Sequence, residues 1–454
     1  MRYQNIILTL GTLAMRVTAQ VSSEKNAIFQ LSNDTEFAFM LEATLSLSNN
    51  FGANTGEVLR VASQIVPGDF ESWYREFIFL ADKIHGKAEA INAKRFPISA
   101  REAYFRSATY YRAATTFLYA NRSDPRIYSV WDSALADFNK AMSLLPVPGE
   151  RANISATNFT VPAIFYSAQN SANSPANHKQ SSFNSTKRPT VIVGNGYDGS
   201  QEELYHTFGR AILDRGWNFI TYEGPGQPTV RRQQGLGFIP NWWEAVTPVV
   251  DYLTKRHDVD TDRIALIGYS FGGTLAPLAA SHEHRLSAVM AIDGITSLFN
   301  ATKSQLPPQI NSVFESGNKT EFDALLIPLV DDTDVPTELR WAIAQSLWAF
   351  DTPSPYEWFT KLREFKVDQT VADSIHCPVF VNEGENDSLA PGQAPEMAKL
   401  LGKKATYNLF KTELGAGEHC QLGAESQVSQ VAFDWLSDIW EGVSVPHNIT
   451  GGVY

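Results

Sequence analysis

Residues 268–272 read GYSFG, the Gly-x-Ser-x-Gly pattern that surrounds many nucleophilic serines. An apolar run, IALI, comes directly before it, and a run of small residues comes directly after it. This order predicts a strand, a tight turn and a helix, with Gly268 and Gly272 leaving room for the turn and Ser270 raised at its tip. The sequence therefore predicts that Ser270 is a nucleophile. The alternative is a glycine-rich turn without chemistry.

A serine hydroxyl needs a base to become a nucleophile, and the base needs an acid that orients it. With a strand-to-helix serine turn, the three residues follow in the order serine, acid, histidine, each at the carboxyl end of a strand. Asp387 follows a predicted strand at 378–382, and His419 follows another at 406–410. We therefore expect Asp387 to orient His419, and His419 to take the proton of Ser270.

Three other carboxylates compete for the role of the acid or for contact with the substrate. Glu383 and Glu385 lie nearer the end of their strand than Asp387 does, and they are the rival acids. Asp293 ends the strand beside the nucleophile's strand. We interpret Asp293 mainly as a carboxylate that caps a loop, with contact to substrate as the alternative.

Two backbone N–H groups are needed to stabilise an oxyanion. Phe271, directly after the nucleophile, is one expected donor. The other should come from the glycine-rich loop GNGYDG at 194–199, where we favour Tyr197 over Asp198; a plain turn is the alternative. The segment EGPGQ at 223–227 follows another strand end, and it either shapes the pocket or is a structural turn.

The chain has two cysteines, which offer no Cys-x-x-Cys motif. Cys377 begins a predicted strand and Cys420 follows His419, so the two should lie at opposite ends of the sheet. We predict no disulfide between them. We also expect the chemistry to require no metal and no organic cofactor.

Strands and helices alternate through the second half of the chain, which predicts parallel β-α-β units and a doubly wound sheet. Ser200 and Glu203 form a capping box at the start of one predicted helix. The predicted strands lie at 158–166, 190–193, 217–222, 264–267, 288–292, 378–382 and 406–410. The predicted helices lie at 200–215, 241–255, 272–280 and 427–440.

Two other regions lack this alternation. Residues 20–150 have apolar residues at helical spacing and are predicted to be helical. The aromatic stretch at 295–373 is too long for a core connection, so we predict a helical lid between two parts of the core, 151–294 and 374–454. Its aromatic side chains either contact a large apolar substrate or pack among themselves.

Composition narrows the function classes. The chain has 454 residues, of which 43 % are hydrophobic, and a net charge of −12. This is a globular composition, and the acidic balance argues against nucleic acid as a partner.

The first 19 residues are predicted to be a signal peptide, with Arg2, an apolar stretch too short to span a membrane, and small residues before a cleavage point after Ala19. A buried amphipathic helix is the alternative. Nine Asn-x-Ser/Thr sites, about twice the number expected by chance, also favour a secreted or endomembrane glycoprotein. They are Asn33, Asn121, Asn153, Asn158, Asn184, Asn300, Asn318, Asn386 and Asn448. Asn386 is the exception: we expect it to be a poor acceptor, because Asp387 beside it should face inward.

The segment DRIALIGYSFGG at 262–273 resembles the α/β-hydrolase superfamily. A longer pattern, YYR at 110–112, DPR at 124–126, GYDG at 196–199 and GPGQ at 224–227, is similar to one branch of it. That branch comprises fungal secondary-metabolism hydrolases of the fusarin-cluster and conidial-pigment polyketide-shortening type, with bacterial pseudooxynicotine hydrolase as a more distant relative.

The resemblance implies a mostly parallel eight-stranded sheet with the helical N-terminal region and the lid attached. It also implies that Ser270, Asp387 and His419 form the triad. The implied substrate is an acyl or β-diketone compound from a polyketide or polyketide–peptide pathway. The implied reaction either cleaves this compound or closes it into a ring. The expected partner is a small apolar carbonyl compound; no membrane span is expected, and a homodimer is left open. A general secreted esterase, lipase or peptidase is the second hypothesis, and a non-catalytic binding module is the third.

Overall fold

The computed structural model describes residues 28–168 and 187–449. The predicted signal peptide and the sequon at Asn184 lie outside these residues.

Five α-helices make up the N-terminal region within the described residues. Asp69 caps the longest of them, because its side chain accepts hydrogen bonds of 3.0 Å from the N–H groups of Glu71 and Ser72. Trp73 and Phe77, one helical turn apart, are fully buried, as their spacing predicts. The helices are α1 (Thr35–Ser46), α2 (Thr55–Ala62), α3 (Phe70–Ala90), α4 (Pro97–Ala114) and α5 (Arg126–Ser143).

The rest of the described residues are built around one sheet of nine strands in the order β1-β2-β4-β3-β5-β6-β7-β8-β9. β1 and β2 pair antiparallel, as do β2 and β4, and every other pair in this order is parallel. The strands are β1 (Glu150–Ser155), β2 (Thr160–Tyr166), β3 (Arg188–Gly194), β4 (Asn218–Tyr222), β5 (Val259–Tyr269), β6 (Ala288–Ile292), β7 (Val379–Gly384), β8 (Ala405–Phe410) and β9 (Asn448–Ile449).

The predicted mostly parallel sheet is confirmed, with two additions at its edges. β1 is absent from the sequence prediction because its residues, ERANIS, are polar and alternate between exposed and half-buried positions at the sheet edge. β9 has two residues and extends the opposite edge. The predicted strand at 288–292 matches β6 residue for residue.

The helices of the core flank this sheet. The Ser200–Glu203 capping box is present, since Ser200 N–H donates to the Glu203 carboxylate at 2.6 Å. The helix predicted at 200–215 is present at 203–214, after two turn residues, and it contains a π-helical turn, Tyr205–Gly209. The core helices are α6 (Arg210–Asp214), α7 (Pro228–Gln234), α8 (Trp243–Thr254), α9 (Gly272–Ala280), α16 (Gln393–Leu401) and α17 (Glu425–Glu441).

The insertion between β6 and β7 is helical, as predicted. Its aromatic side chains are buried and pack on one another, for example Phe314 on Phe359 at 5.4 Å between ring centroids. Internal packing therefore accounts for most of the aromatic residues of the lid. Its helices are α10 (Leu298–Gln305), α11 (Pro308–Glu315), α12 (Lys319–Leu326), α13 (Thr337–Ala349), α14 (Pro355–Leu362) and α15 (Gln369–Ser374).

Within residues 28–168 and 187–449, none of the helices is both long enough and apolar enough to cross a bilayer. The boundaries between the N-terminal region, the core and the lid stay predictions.

Candidate active site

Ser270 lies at the turn between β5 and α9. Its φ is +60°, a left-handed backbone that a non-glycine residue rarely adopts, and its N–H donates to the carbonyl of Ile292 at 3.0 Å. A Cβ at Gly268 would collide with the carbonyl of Gly272, and one at Gly273 with the carbonyl of Asp293. Glycine is therefore required where the turn closes on itself and on the neighbouring strand end.

His419 lies in the loop after β8, and the fold brings it to the serine. Ser270 Oγ and His419 Nε2 are 2.9 Å apart, within hydrogen-bond distance. The two residues after the histidine, Cys420 and Gln421, both have left-handed backbone, with φ of +57° and +53°. Gln421 N–H donates to the carbonyl of Glu418 at 2.8 Å, which closes this turn. The tight turn directs the imidazole toward the hydroxyl of Ser270.

Asp387 lies in the loop after β7, and its Oδ2 is 2.8 Å from His419 Nδ1. The two loops touch directly, since Asn386 N–H donates to the carbonyl of Gly417 at 2.8 Å. A Cβ at Gly384 would collide with that same carbonyl, so glycine is needed where the loops meet.

The rival acids are occupied elsewhere. Glu383 accepts a hydrogen bond of 2.5 Å from Tyr407 Oη, and Glu385 pairs with Lys411 at 2.8 Å. Neither carboxylate shares a hydrogen bond with His419, whereas Asp387 does.

Asp293 is a second carboxylate at the histidine, and sequence reasoning missed this contact. Its Oδ2 is 2.9 Å from His419 Nδ1, the atom that also contacts Asp387. Asp293 also accepts hydrogen bonds from Cys420 N–H and from Gln421 Nε2, the latter at 2.9 Å, so it caps the histidine loop as predicted. The feature of the sequence that could have indicated this contact is the position of Asp293 directly after β6, the strand that pairs with β5, which Ser270 follows.

A buried amide pair holds Asp293 in place. Asn382 Oδ1 accepts from Asp293 N–H at 3.0 Å, and Asn382 Nδ2 donates to Gln421 Oε1 at 2.7 Å. Asp293, Asn382 and Gln421 are all buried. The carboxylate, the strand β7 and the histidine loop are thus joined in one hydrogen-bonded network.

The electrostatics of the three titrating groups follow from this arrangement. Burial alone would lower the pKa of His419, but Asp387, Cys420 and Asp293 together raise this pKa well above its ordinary value. Burial would raise the pKa of Asp387, yet His419 holds it below the usual range. For Asp293 burial prevails over His419, and its pKa is raised. The imidazole is therefore a stronger base than a free histidine.

The two expected oxyanion segments lie against each other. A Cβ at Gly196 would be 2.9 Å from the backbone nitrogen of Phe271 and 2.7 Å from the carbonyl of Tyr269. The loop after β3 thus approaches the nucleophile turn closely. The ring of Tyr197 packs at 6.0 Å from the ring of Phe271, and its hydroxyl bonds to Ser346 of the lid helix α13.

Two side chains that sequence reasoning did not assign hold this oxyanion loop. Gln227 Nε2 donates to the carbonyls of Asn195 and Gly196 at 2.7 and 3.1 Å. Arg112 of α4 donates to the carbonyl of Asp198 at 2.7 Å. The segment at 223–227 therefore supports the loop after β3, and the N-terminal helices reach the edge of the sheet at which Ser270 lies.

One group of metal-ligating atoms occurs among the described residues. Single donor atoms of Asp293, His419 and Cys420 lie within 4.8 Å of one another. Both oxygens of Asp293 already accept hydrogen bonds from the histidine loop, so this set serves the loop rather than an ion. Cys377 and Cys420 are both buried and free, in agreement with the prediction that no disulfide joins them.

Comparison with known proteins supports this interpretation of the fold. The chain is 29 % identical to Hydrolase acrC of Aspergillus aculeatus over 426 residues, covering 89 % of this chain and 96 % of the relative. It is also 29 % identical to the 20-hydroxy-prefusarin hydrolase FUS2 of Gibberella moniliformis, covering 85 % and 92 %. These similarities confirm the resemblance to fungal hydrolases of the fusarin type.

Solved structures show the same fold. The 2,6-dihydroxy-pseudo-oxynicotine hydrolase superposes with a TM-score of 0.69 at 19 % identity, covering 91 % of this chain and 99 % of that one. The family model described as X-Pro dipeptidyl-peptidase (S15 family) matches residues 155–421, more than half of the chain. The chain therefore belongs to the X-Pro dipeptidyl-peptidase (S15) family and is a hydrolase of the α/β-hydrolase type.

Proposed function

We propose that this protein is a serine hydrolase in which Ser270, His419 and Asp387 act as nucleophile, base and acid. The observation that carries the proposal is the chain of two contacts, 2.9 Å from Ser270 Oγ to His419 Nε2 and 2.8 Å from His419 Nδ1 to Asp387. A half-buried serine on a left-handed turn, in line with an imidazole and a carboxylate, has the geometry that acyl transfer requires.

In the first step, His419 takes the proton of Ser270 as Oγ attacks a substrate carbonyl. The imidazolium that forms is stabilised by Asp387, and by Asp293 on the same nitrogen. The N–H groups of Phe271 and Tyr197 are the proposed oxyanion donors, and they favour the tetrahedral intermediate over the planar carbonyl.

In the second step, His419 gives its proton to the leaving group, which departs as an alcohol, an amine or an enol. An enol leaves when the bond cleaved is the C–C bond of a β-dicarbonyl, so the same residues serve ester, amide or β-diketone substrates. Water, deprotonated by His419, then attacks the acyl-enzyme and frees Ser270. An internal nucleophile of the substrate in place of water would close a ring.

We propose that the substrate is a polyketide or polyketide–peptide intermediate of fungal secondary metabolism. The support is the similarity to the 20-hydroxy-prefusarin hydrolase over 85 % of this chain, together with the helical N-terminal region that packs beside the site. A general esterase or peptidase acting on external substrates is the competing proposal, and the predicted signal peptide favours it.

We propose that the protein enters the secretory pathway and carries N-linked glycans. Every sequon asparagine within 28–168 and 187–449 is exposed. Asn386 precedes the proposed acid Asp387, and its Nδ2 donates to Glu418 at 3.0 Å, so we propose the other exposed asparagines as the acceptors. A decrease in apparent mass after peptide-N-glycosidase treatment of the native protein is the expected result; unchanged mass would contradict this proposal.

Labelling with a fluorophosphonate probe tests the serine mechanism. Wild-type protein should be labelled at Ser270, and Ser270→Ala should lose both labelling and at least about 10⁴-fold of its kcat/KM. Ser143→Ala, an equivalent change on an exposed helix end, is the control and should behave as wild type. Activity that persists in Ser270→Ala would contradict the mechanism.

Metabolite profiling tests the biosynthetic role. A strain that lacks the gene should accumulate an acyl or β-dicarbonyl precursor, and a copy carrying Ser270→Ala should fail to restore the product. An unchanged metabolite profile, with extracellular esterase activity lost instead, would favour the competing proposal.

A further inference from the structure

One face of helix α1 lies over the catalytic site. Glu36, Phe39 and Glu42 follow one another at intervals of three residues, so their side chains share this face. The ring of Phe39 is 6.3 Å from the imidazole of His419, measured between centroids. We call these three residues the roof of the site.

The two ends of the roof approach different parts of the site. Glu36 interacts electrostatically with Asp198 of the oxyanion loop, with Glu338 at the start of the lid helix α13, and with Asp34. Glu42 interacts with Glu418, the residue directly before His419. Asp34, which caps α1, accepts a hydrogen bond from Thr337 of the lid helix α13, and Phe39 lies beside His419. The roof therefore extends from the lid toward the histidine loop, with a rise of about 9 Å between residues six apart on a helix.

Each glutamate of the roof has one buried carboxyl oxygen without a hydrogen-bond partner among the described residues. Glu36 is 7 % exposed and Glu42 is half-buried, and the unpaired atom is Oε1 in both. A buried carboxylate without a partner is costly, and the neighbouring carboxylates increase this cost. Both groups accordingly hold a proton more firmly than free glutamate: burial and nearby acids raise the pKa of Glu36, and burial and Glu418 raise that of Glu42 to about 8.

A protonated carboxyl group donates a hydrogen bond from its O–H. The complementary groups on a ligand are neutral acceptors, above all carbonyl oxygens. A metal ion is disfavoured because it needs several ligand atoms close together. The group of three possible ligands found among the described residues contains neither Glu36 nor Glu42. Phe39, between the two donors, offers an apolar surface for the carbon chain that joins the acceptors.

We propose that the roof binds an acyl chain with two carbonyl oxygens besides the one that Ser270 attacks, each accepting a hydrogen bond from Glu36 or Glu42. This inference rests on the proposed serine hydrolase function and specifies its substrate class. A polyoxygenated chain or an amide-bearing chain satisfies the roof, whereas a plain fatty acyl chain leaves both carboxyl groups unpaired.

Three p-nitrophenyl esters of equal acyl length test the proposal: hexanoate, 5-oxohexanoate and 6-aminohexanoate. Wild type should prefer the 5-oxo ester to hexanoate by about tenfold in kcat/KM, since one hydrogen bond is gained. If both glutamates contact the 5-oxo group, the preference should vanish in Glu36→Leu and in Glu42→Leu. If only one of them does, the preference should vanish in the variant that lacks that glutamate and remain in the other. Glu36→Gln and Glu42→Gln, which keep an N–H donor, should retain most of it.

Glu364→Leu, the same substitution at an exposed lid position, is the matched control and should keep the preference. The effect should appear mainly in KM, because the roof contacts the chain and not the reacting carbonyl. In wild type the preference should weaken above about pH 8, where Glu42 loses its proton and can no longer donate.

Ligand-observed NMR gives a measurement that does not require turnover. N-hexylacetoacetamide and N-hexylbutanamide differ by one carbonyl oxygen, and the former should bind more tightly to wild type than to Glu36→Leu. A fluorophosphonate probe should label both proteins equally. If the probe failed to label wild type, the proposed serine mechanism would be wrong. The NMR comparison would still test, independently, whether the roof binds the additional carbonyl oxygen.

Two results would overturn the inference. One is equal kcat/KM for the 5-oxo ester and hexanoate in wild type, together with equal binding of the two amides. The other is a preference for the 6-amino ester that Glu36→Gln abolishes, which would make the roof a site for a cation.

Discussion

Asp293 Oδ2 lies 2.9 Å from Nδ1 of His419, the same nitrogen that contacts Asp387 at 2.8 Å. The two aspartates follow different strands, β6 and β7, and both are nearly inaccessible to solvent, with side-chain exposures of 2 % and 6 %. The histidine therefore has two carboxylates where a triad needs one.

The paired carboxylates predict an unusual response to mutation. Removal of the sole acid of a triad costs about 10⁴-fold in kcat. Here Asp387→Asn should cost only about 10- to 100-fold, because Asp293 still orients the imidazole and stabilises its cation, and the double variant with Asp293→Asn should lose about 10⁴-fold. Steady-state kinetics on the two single variants and the double variant measure this.

The exposed Asp214→Asn is the control for removing one negative charge. A loss in Asp387→Asn alone as large as in the double variant would show that Asp293 only caps the loop.

The pH dependence of activity follows from the raised pKa of His419. The imidazole must be neutral to take the serine proton, so the acid limb of the kcat/KM profile should lie above pH 6.5, the ordinary value for histidine. Asp293→Asn removes one of the charges that raise this pKa, and the limb should move to lower pH. The measurement is kcat/KM from pH 5 to 10 for wild type and Asp293→Asn. If the acid limbs of the two profiles coincided, Asp293 would not raise the pKa of His419.

The anchoring of the oxyanion loop by the N-terminal region predicts a distant effect on catalysis. Arg112→Met removes the donor that holds the carbonyl of Asp198, so the loop after β3 should become less well positioned. We expect kcat to fall by about 10- to 100-fold with little change in KM, since the loop acts on the transition state.

Arg106→Met is a matched control on the same helix, because Arg106 pairs with Glu57 away from this loop at 3.0 Å. Equal effects of the two substitutions on kcat would mean that helix stability, and not the loop contact, is responsible.

The close approach of Gly196 to the nucleophile turn predicts that this position tolerates no side chain. In Gly196→Ala the new Cβ would meet backbone atoms of Tyr269 and Phe271 at 2.7 and 2.9 Å, and backbone cannot move aside cheaply. We expect kcat/KM to fall by about 100-fold or more, the loss of one oxyanion donor.

Gly86→Ala in α3 is the contrasting change, since nothing lies within 4 Å of its Cβ position. It should keep full activity and stabilise the fold by about 0.5–1 kcal/mol through helix propensity. Wild-type kinetics in Gly196→Ala would contradict the proposed oxyanion site.

Glu42 predicts a pH-dependent stability. Between its ordinary pKa of 4.5 and its raised value of about 8, the folded chain keeps a proton that the unfolded chain releases. The free energy of unfolding therefore falls as pH rises through this window. Glu42→Gln removes the penalty, so its Tm should equal that of wild type near pH 4 and exceed it increasingly up to pH 9.

Thermal unfolding of both proteins across this range is the measurement, with the exposed Glu413→Gln as the control. A constant difference in Tm at every pH would show that Glu42 titrates normally in the folded protein.

Much of the sheet and of the site could be predicted because each depends on local sequence. The strand-turn-helix around Ser270 needs an apolar run, two glycines and a small-residue helix that are adjacent in the chain. Asp387 and His419 follow their strands directly, and in a parallel sheet the carboxyl ends of neighbouring strands meet. Order along the chain was therefore enough to bring these three residues together.

Other parts of the structure depend on contacts that leave no local pattern. β1 is polar because it lies at an exposed edge, so it lacks the apolar alternation of a buried strand. Asp293 reaches His419 across the sheet only because Gln421 and the left-handed turn at Cys420 bring the loop back toward β6. The pairing depends on rotamers and loop curvature, which composition does not reveal.

The sequence by itself determined the order of elements and the three residues of the proposed triad, since hydrophobic periodicity and glycine placement act over a few neighbouring residues. Only the tertiary structure decided that a second aspartate shares the histidine, that Arg112 holds the loop after β3, and that two glutamates of helix α1 each keep one carboxyl oxygen buried and unpaired. The physical reason is that hydrogen bonding and desolvation depend on distances between segments far apart in the chain, and packing of the whole fold sets those distances.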